Sequence, residues 1–284
     1  MEEHINNLSH IFASTPAHTS IFFKSFKMAE PLSVSLHPVT HDDVLTIAKI
    51  GGSAFLHDRH TLVKEMGKIP YDHEGESIPR YHQYLENWKV VMVKAVDDKT
   101  GCILGFTAWA FRGLEPDEIP VMEGAPKKGN WKDDRSGEKE SKAGEEEPQN
   151  KVEPGPKERN DESLRELAGI TDGNMNHMME NIMPPGTHCM YVAGLNVDPN
   201  YQRRGIGLKL LQWGTQTADR LGLWIWVHSS EGAVPAYAKA GFKTFSYLGV
   251  DLDEYAPGPP PDGGKWGTYQ FNWMKYRGKK PEGT

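Results

Sequence analysis

The sequence predicts one α/β domain built on a mixed sheet with a central parallel strand pair, and three observations predict it. Residues 189–197 read as a strand, residues 208–221 as an amphipathic helix and residues 223–227 as a short, wholly apolar strand. A strand, a helix and a strand in that order give a parallel pair with a right-handed crossover. Residues 89–95 and 103–111 are strand patterns separated by Asp97-Asp98-Lys99-Thr100-Gly101, the composition of a hairpin turn. Residues 243–250 and 269–276 read as a last antiparallel pair around the Pro- and Gly-rich loop 257–264.

The remaining elements follow from the N-terminus. Residues 33–38 alternate Val34 and Leu36 with polar neighbours, a strand signal. Thr40 is a candidate N-cap, with Asp42 and Asp43 suited to the positive end of a helix running through Val44, Leu45, Ile47 and Ala48. Gly51-Gly52 weaken or end that helix, with the pattern resuming through Phe55. Residues 57–87 are mixed and partly helical. Residues 161–183 carry a broken helical pattern (Leu164, Leu167 and Ala168, then Met178, Met179 and Ile182) that Pro184-Pro185-Gly186 terminates. In helix 208–221, Leu211, Ala218 and Leu221 lie close to one face. Residues 232–240 form a short helix closed by Gly241, a suitable left-handed cap.

Composition bounds the rest. Hydrophobic residues make up 37% and charged residues 25% of 284, so part of the length is expected to be solvated. Residues 1–31 read as a disordered leader, rich in His, Ser and Thr, and Met28 is an alternative start. Residues 127–162 hold 9 Lys or Arg and 11 Asp or Glu against only Trp131, Ala143 and Val152 as apolar residues. Such a segment buries too little to offset its ordering entropy, so it reads as the disordered core of an insertion spanning about 113–162. The domain is then 32–278, with a tail at 279–284.

The net charge of −7 and pI of about 6.0 offer no basic excess for nucleic acid or an anionic membrane. No stretch is long and apolar enough for a transmembrane helix, and a cytoplasmic protein is the expectation. Cys102 and Cys189 form no CxxC pair, which excludes a disulfide framework or a cysteine-rich zinc site, and both are expected to be small core residues.

The chemistry concentrates in Leu195-Asn196-Val197-Asp198-Pro199-Asn200-Tyr201-Gln202-Arg203-Arg204-Gly205-Ile206-Gly207-Leu208. A strand leads into a loop, and the loop opens a helix. Gly205 and Gly207 let the backbone approach a ligand closely. The amides of Arg203 to Leu208 are the unpaired donors of a helix N-terminus, a site for phosphate or diphosphate, and Arg203 and Arg204 add positive charge. A lone Gly-x-Gly also serves tight packing; the whole string is far more specific. No GxxxxGK[ST] occurs, and Gly205-x-Gly207 lacks the third glycine of a dinucleotide fingerprint.

With Gln202, Gly205 and Gly207 on the pattern Gln/Arg-x-x-Gly-x-Gly/Ala, preceded by Val197-Asp198-Pro199, the sequence resembles the GNAT N-acetyltransferase superfamily. Ala233, Tyr237, Lys239, Gly241 and Phe242 look like a second signature of that family. The resemblance covers most of residues 32–277 and is weakest in the N-terminal half. It implies a GNAT-like fold whose strands 189–197 and 223–227 splay apart around acetyl-CoA. It further implies that main-chain groups of Leu195, Asn196 and Val197 pair with the pantetheine arm, the Val197 amide meeting the thioester carbonyl. The amides of Arg203, Arg204, Gly205, Ile206, Gly207 and Leu208, with Gln202, would hold the diphosphate. Tyr237 would protonate or stabilise the departing thiolate, and a small-molecule amine would attack directly.

The sequence departs from the family at two places. Ser230 stands where the family often has Asn contacting the coenzyme, and no Asp or Glu lies on strand 189–197 where some members keep a base. His228, at the end of the next strand, is the alternative base. His57, Asp58 and His60 fit a solvated or acceptor-lining role better than a metal cluster, and no metal is expected. Glu74, Glu76, Asp253 and Glu254 read as surface charge. Trp109, Phe111, Trp224 and Trp226 fit either an aromatic acceptor site or core. Two other functions stay open: an acyl-CoA-binding module without catalysis, and a protein N-acetyltransferase.

Overall fold

The structure is a computed structural model that describes residues 32–129 and 156–278. The expectations for the leader 1–31, for 130–155 of the insertion and for the tail 279–284 lie outside the described residues. Seven strands form one sheet: β1 (Val34–Pro38), β2 (Val90–Asp97), β3 (Ile103–Arg112), β4 (Cys189–Val197), β5 (Trp224–Ser229), β6 (Lys243–Asp251) and β7 (Thr268–Arg277). Their order is β1-β2-β3-β4-β5-β7-β6. Every neighbouring pair is antiparallel except β4–β5, which is parallel.

The last strand thus lies between β5 and β6. The sequence explains the order: β7 buries Tyr269, Phe271, Asn272, Trp273 and Met274, as a strand paired on both sides should, whereas most of β6 is exposed and it sits at the edge.

The helices are α1 (Val44–Phe55), α2 (Arg59–Glu65), α3 (His73–Glu86), α4 (Pro156–Ile182), α5 (Ile206–Leu221) and α6 (Val234–Lys239). Side chains alternate across each strand, so the sheet builds a core on each face. On one face, Val91, Val93, Trp109, Val192, Ile225 and Val227 meet Leu210 and Leu211 of α5 and Tyr237 of α6. On the other, α1 and α3 cover Met92, Phe106 and Ala108, while α2 and α4 cover the β5-β7-β6 half.

Three expectations need correction. The helix α1 runs straight through Gly51-Gly52, because Gly51 gives α3 room: a Cβ there would stand 3.3 Å from the Tyr81 hydroxyl. The charged insertion is not disordered through residue 162. Its last residues, from Pro156, are the start of α4, and the pattern that looked broken is one continuous helix. Proline suits a first helical position, and Lys, Glu and Arg are good helix formers whatever their charge. The apolar face changes partner along α4: Leu164, Leu167 and Ile170 join one cluster, and Met175, Met178, Met179 and Ile182 another. At the insertion's other end Lys128 donates to the Val90 carbonyl at 2.9 Å. Finally, Cys189 is buried, and burial pushes its thiol up to about 11, but Cys102 is exposed beside the hairpin turn. No helix among the described residues is long and apolar enough to cross a membrane.

Candidate functional site

The parallel strands β4 and β5 pair at only three positions, Cys189↔Trp224, Met190↔Ile225 and Tyr191↔Trp226. Beyond these, β4 continues to Val197 and β5 to Ser229 without pairing to each other. The parting coincides with an irregularity: the β3–β4 register jumps from Trp109↔Val192 to Ala108↔Gly194, leaving Ala193 as the extra residue. A bulge bends its strand, which here opens a cleft between β4 and β5.

Register decides what faces that cleft. The Asp198 amide donates to the Leu104 carbonyl on β3 at 2.9 Å, and Asn196 lies opposite Phe106 in the same phase. Hydrogen-bonded and non-bonded pairs alternate along an antiparallel ladder. Asn196 therefore turns its main-chain groups to β3, while Leu195 and Val197 turn theirs to the cleft. Of the three residues expected to offer backbone there, two do. The Asn196 side chain is buried, with its Oδ1 unpartnered.

At the end of β4 the chain makes a tight turn before α5. Asp198 accepts from the Asn200 amide, and Gln202 Nε2 reaches back to the Val197 carbonyl at 3.1 Å. Arg203 has φ 60°, the left-handed value of a non-glycine residue, and Gly205 has φ 85°. Two left-handed residues so close curl successive amides towards one point, a concavity suited to an anion. Strain of this kind persists where the surroundings over-determine it, and it clusters at ligand clamps. Gly205 is the N-cap of α5 and supplies no side-chain cap. The amides of Ile206, Gly207 and Leu208 have no acceptor within the helix. A Cβ on Gly205 would meet nothing within 4 Å, so the space above the turn is open. Gln202, Arg203, Arg204 and Gly205 are exposed, and the Arg204 guanidinium lies over the Tyr201 ring. The turn thus fits a diphosphate, and the unpaired edge of β4 fits an extended arm carrying amides.

The residues beyond the cleft come from β5 and α6. Tyr237 is buried against Phe242, and burial raises its phenol well above the ordinary value, so it stays protonated. Ser230 begins the turn after β5 and makes no cap bond with its side chain. His228 stands two residues past the last β4–β5 pair, on the face that carries α2 and α4. It stacks on Phe271 (5.0 Å between centroids, 17°) and packs on Trp273 (4.5 Å). Burial first, then His60, lowers its pKa to about 4.

His60, on α2, meets the same Phe271 ring edge-on at 5.0 Å and Tyr269 at 5.6 Å. Its pKa is also lowered to about 4, chiefly by burial and then by Lys64, against Asp58 and Asp172. Two neighbours pin α2 in place. Asp58 caps the helix through the Thr61 amide and accepts from the Tyr269 hydroxyl at 2.6 Å. Arg59 donates to Glu231 at 2.6 Å and to the carbonyls of Trp266 and Thr268.

Sequence reasoning named His228, Asp58 and His60 but missed their common wall, Tyr269, Phe271 and Trp273. The signal was there: aromatics at every second position of one strand share a face. Trp109 and Phe111 belong to the core under α5 and not to this wall, whereas Trp226 packs on Trp273 beside it. Asp253 fixes a loop through the amides of Trp266 and Gly267. Among the described residues no three His, Cys, Asp or Glu side chains are grouped to hold a metal ion.

Residues 130–242 match the model of the acetyltransferase (GNAT) family, a stretch that contains β4, the turn, α5, β5 and Tyr237. The chain's fold is similar to that of arylalkylamine N-acetyltransferase 2 from Aedes aegypti, at 11% identity, with 86% of this chain and 99% of that chain covered and a TM-score of 0.50. A mosquito arylalkylamine N-acetyltransferase like 5b matches at 15% identity over 86% and 99%, with a TM-score of 0.47. The ribosomal-protein-S18-alanine N-acetyltransferase from Escherichia coli matches at 11% over 89% and 99%, with 0.43. The likeness to the first of these is one of fold. The comparison with curated proteins gives no match.

Proposed function

We propose that this chain is a member of the GNAT family, a cytoplasmic N-acetyltransferase that moves an acetyl group from acetyl-CoA to the amine of a small molecule. One observation carries the reading: an unpaired strand edge with two cleft-facing residues leads directly into an uncapped, glycine-opened helix turn. The amides of Arg203 to Leu208 bind the diphosphate, with Arg203 and Arg204 adding charge. Leu195 and Val197 pair with the pantetheine arm. The Val197 side chain lies against the turn, 3.6 Å from where a Gly207 Cβ would be. The arm is several bonds long, so its thioester end belongs further back along β4, where the strands part and His228 stands. The Leu195 amide, about 7 Å nearer that point at the usual strand rise, is therefore the better donor to the thioester oxygen than the Val197 amide.

His228, neutral at physiological pH, takes the proton that leaves the attacking nitrogen. Tyr237, kept protonated by burial, gives its proton to the departing sulfur. The acetyl-CoA supplies the activated acetyl group; the chain supplies position, hydrogen bonds and exclusion of water. Titration calorimetry with acetyl-CoA, followed by thiol release across an amine panel, tests the reading. Coenzyme binding with release of thiol by amines is expected. Binding without turnover would favour the module without catalysis, for which the weak basicity of His228 is the argument. No binding would end both.

A further inference from the structure

Residues 113–128 lead from β3 into the charged insertion, and they are not built as a spacer. Two turns fold the segment: the Glu118 amide donates to the Glu115 carbonyl and the Ala125 amide to the Met122 carbonyl, each at 3.1 Å, and Gly124 takes φ 79°. Ile119 is buried in the core under α5, and Trp88 and Met122 pack against the same cluster. The segment lies over a gap at the sheet edge. Strand β1 stops at Pro38, opposite Val93, and one more bond follows, from the Val39 amide to the Met92 carbonyl. The first residues of β2 have no strand on that side, and Lys128 supplies the donor that a strand would: its ammonium meets the Val90 carbonyl at 2.9 Å. Between the segment, the end of α3 and this edge of β2 lies a cavity of about 180 Å3. Leu85, Trp88 and Val91 wall it on one side and Ile119 and Met122 on the other, while Val121, 85% exposed, stands at its mouth. Among the described residues that line it, Lys128 alone is charged, and Pro38, Pro116, Pro120 and Pro126 have no N–H to offer.

An ammonium has three N–H groups, and the Val90 carbonyl takes one. No carboxylate among the described residues pairs with Lys128, and burial lowers its pKa to about 8. A cation set in an apolar wall without a counter-ion is costly, and an anion placed against it recovers part of that cost. An apolar cavity of about 150 Å3 accepts benzene, so this one has room for a body of about six carbons. We propose that the cavity binds a small monocarboxylate, its aromatic or short aliphatic body held between Leu85, Val91 and Ile119 and its carboxylate on the remaining N–H groups of Lys128. A phosphate or sulfate fits worse: such groups need several donors, and the prolines supply none. The prolines also fix the backbone of the wall, so little ordering entropy is lost when the ligand enters. The site stands apart from the cleft, at the β1–β2 edge with β3 between β2 and β4. It does not depend on the acetyl-transfer reading.

The test titrates the full nitrogen-15-labelled chain with benzoate and, separately, with benzamide, which has the same shape and no charge. Benzoate is expected to shift the amides of Val91, Met92, Ile119 and Met122 with a Kd of about 1 mM or below, and benzamide to bind at least about tenfold more weakly. No shift at these amides, shifts confined to the turn at 203–208, or equal affinity for the two probes overturns the proposal. This comparison needs no variant, so it decides the matter even if a substitution unsettles the fold. Lys128→Met keeps the length of the side chain and loses the charge. It is expected to weaken benzoate about 30-fold and benzamide by no more than about threefold, while Lys128→Arg keeps most of the benzoate affinity. The acetyl-CoA Kd is expected to stay unchanged in both. An unaltered benzoate Kd in folded Lys128→Met overturns the proposal.

Discussion

The two sides of the cleft, proposed for the acetyl donor and for its acceptor, are built from different materials. The turn at 203–208 is backbone: left-handed Arg203 and Gly205, free amides at the start of α5, and a strand edge with no neighbour. The side proposed for the acceptor is made of side chains brought together from α2, α4, β5 and β7. A backbone site depends on local conformation and tolerates almost any side chain pointing away from it. A side-chain site depends on tertiary packing, and a single substitution can change what it recognises while the donor site is untouched. The two should therefore separate cleanly under mutation.

The largest effect is expected at Gly205. Its φ of 85° disfavours any side chain, and Gly205→Asp also sets a negative charge against the diphosphate. Acetyl-CoA affinity should fall by at least about 100-fold by calorimetry, with a melting temperature only modestly lowered. An unchanged affinity would break the comparison at its donor end. Tyr237→Phe should lower kcat by roughly 30-fold and leave the acetyl-CoA Kd within about twofold. Equal turnover would remove the phenol from the reaction.

The acceptor side should announce itself through pH. His60 and His228 have folded values near 4 against an unfolded value of 6.5. As pH falls below 6.5 the unfolded chain takes up protons that the folded chain refuses, so stability drops between about pH 6.5 and 4, by an amount on the order of a few kcal/mol for the pair. Denaturant melts across that window check it. A His60→Gln, His228→Gln chain should show a shallower loss, and an equal slope would mean the imidazoles are not desolvated. Arg59→Ala should lower acceptor kcat/KM about fivefold without touching coenzyme affinity, a small effect because the Glu231 pair is partly exposed. Gly207→Ala should be the mildest change, within about twofold in acetyl-CoA affinity, because its Cβ meets Val197 at an ordinary 3.6 Å. A large loss there would mean that the coenzyme presses closer to the turn than the backbone geometry implies.

The same contrast explains what the sequence could show. Strand β4, the turn and α5 were legible because their meaning is local: an apolar run, a Pro, a charged loop and two glycines at a helix start. The parallel pair followed from strand, helix, strand. The parting of β4 and β5 came from the family resemblance, and its cause, the extra residue Ala193, is invisible without the partner strand. The aromatic wall beside His228 was half legible. Tyr269, Phe271 and Trp273 alternate on one strand, but only the placement of β7 between β5 and β6 brings them to His228 and His60. The helix α4 was misjudged at its start because charge density argues for solvation, and charged residues are also good helix formers.

One measurement bears most directly on the central claim, that main-chain amides at 203–208 grip the diphosphate. Backbone amide signals of the nitrogen-15-labelled chain should be followed during titration with CoA and, separately, with pantetheine, which lacks the diphosphate. The account predicts that CoA shifts Gly205, Ile206, Gly207 and Leu208 strongly, while pantetheine moves Leu195 and Val197 and leaves the turn alone. If CoA binds and those four amides stay where they were, the diphosphate is held elsewhere and the account is wrong.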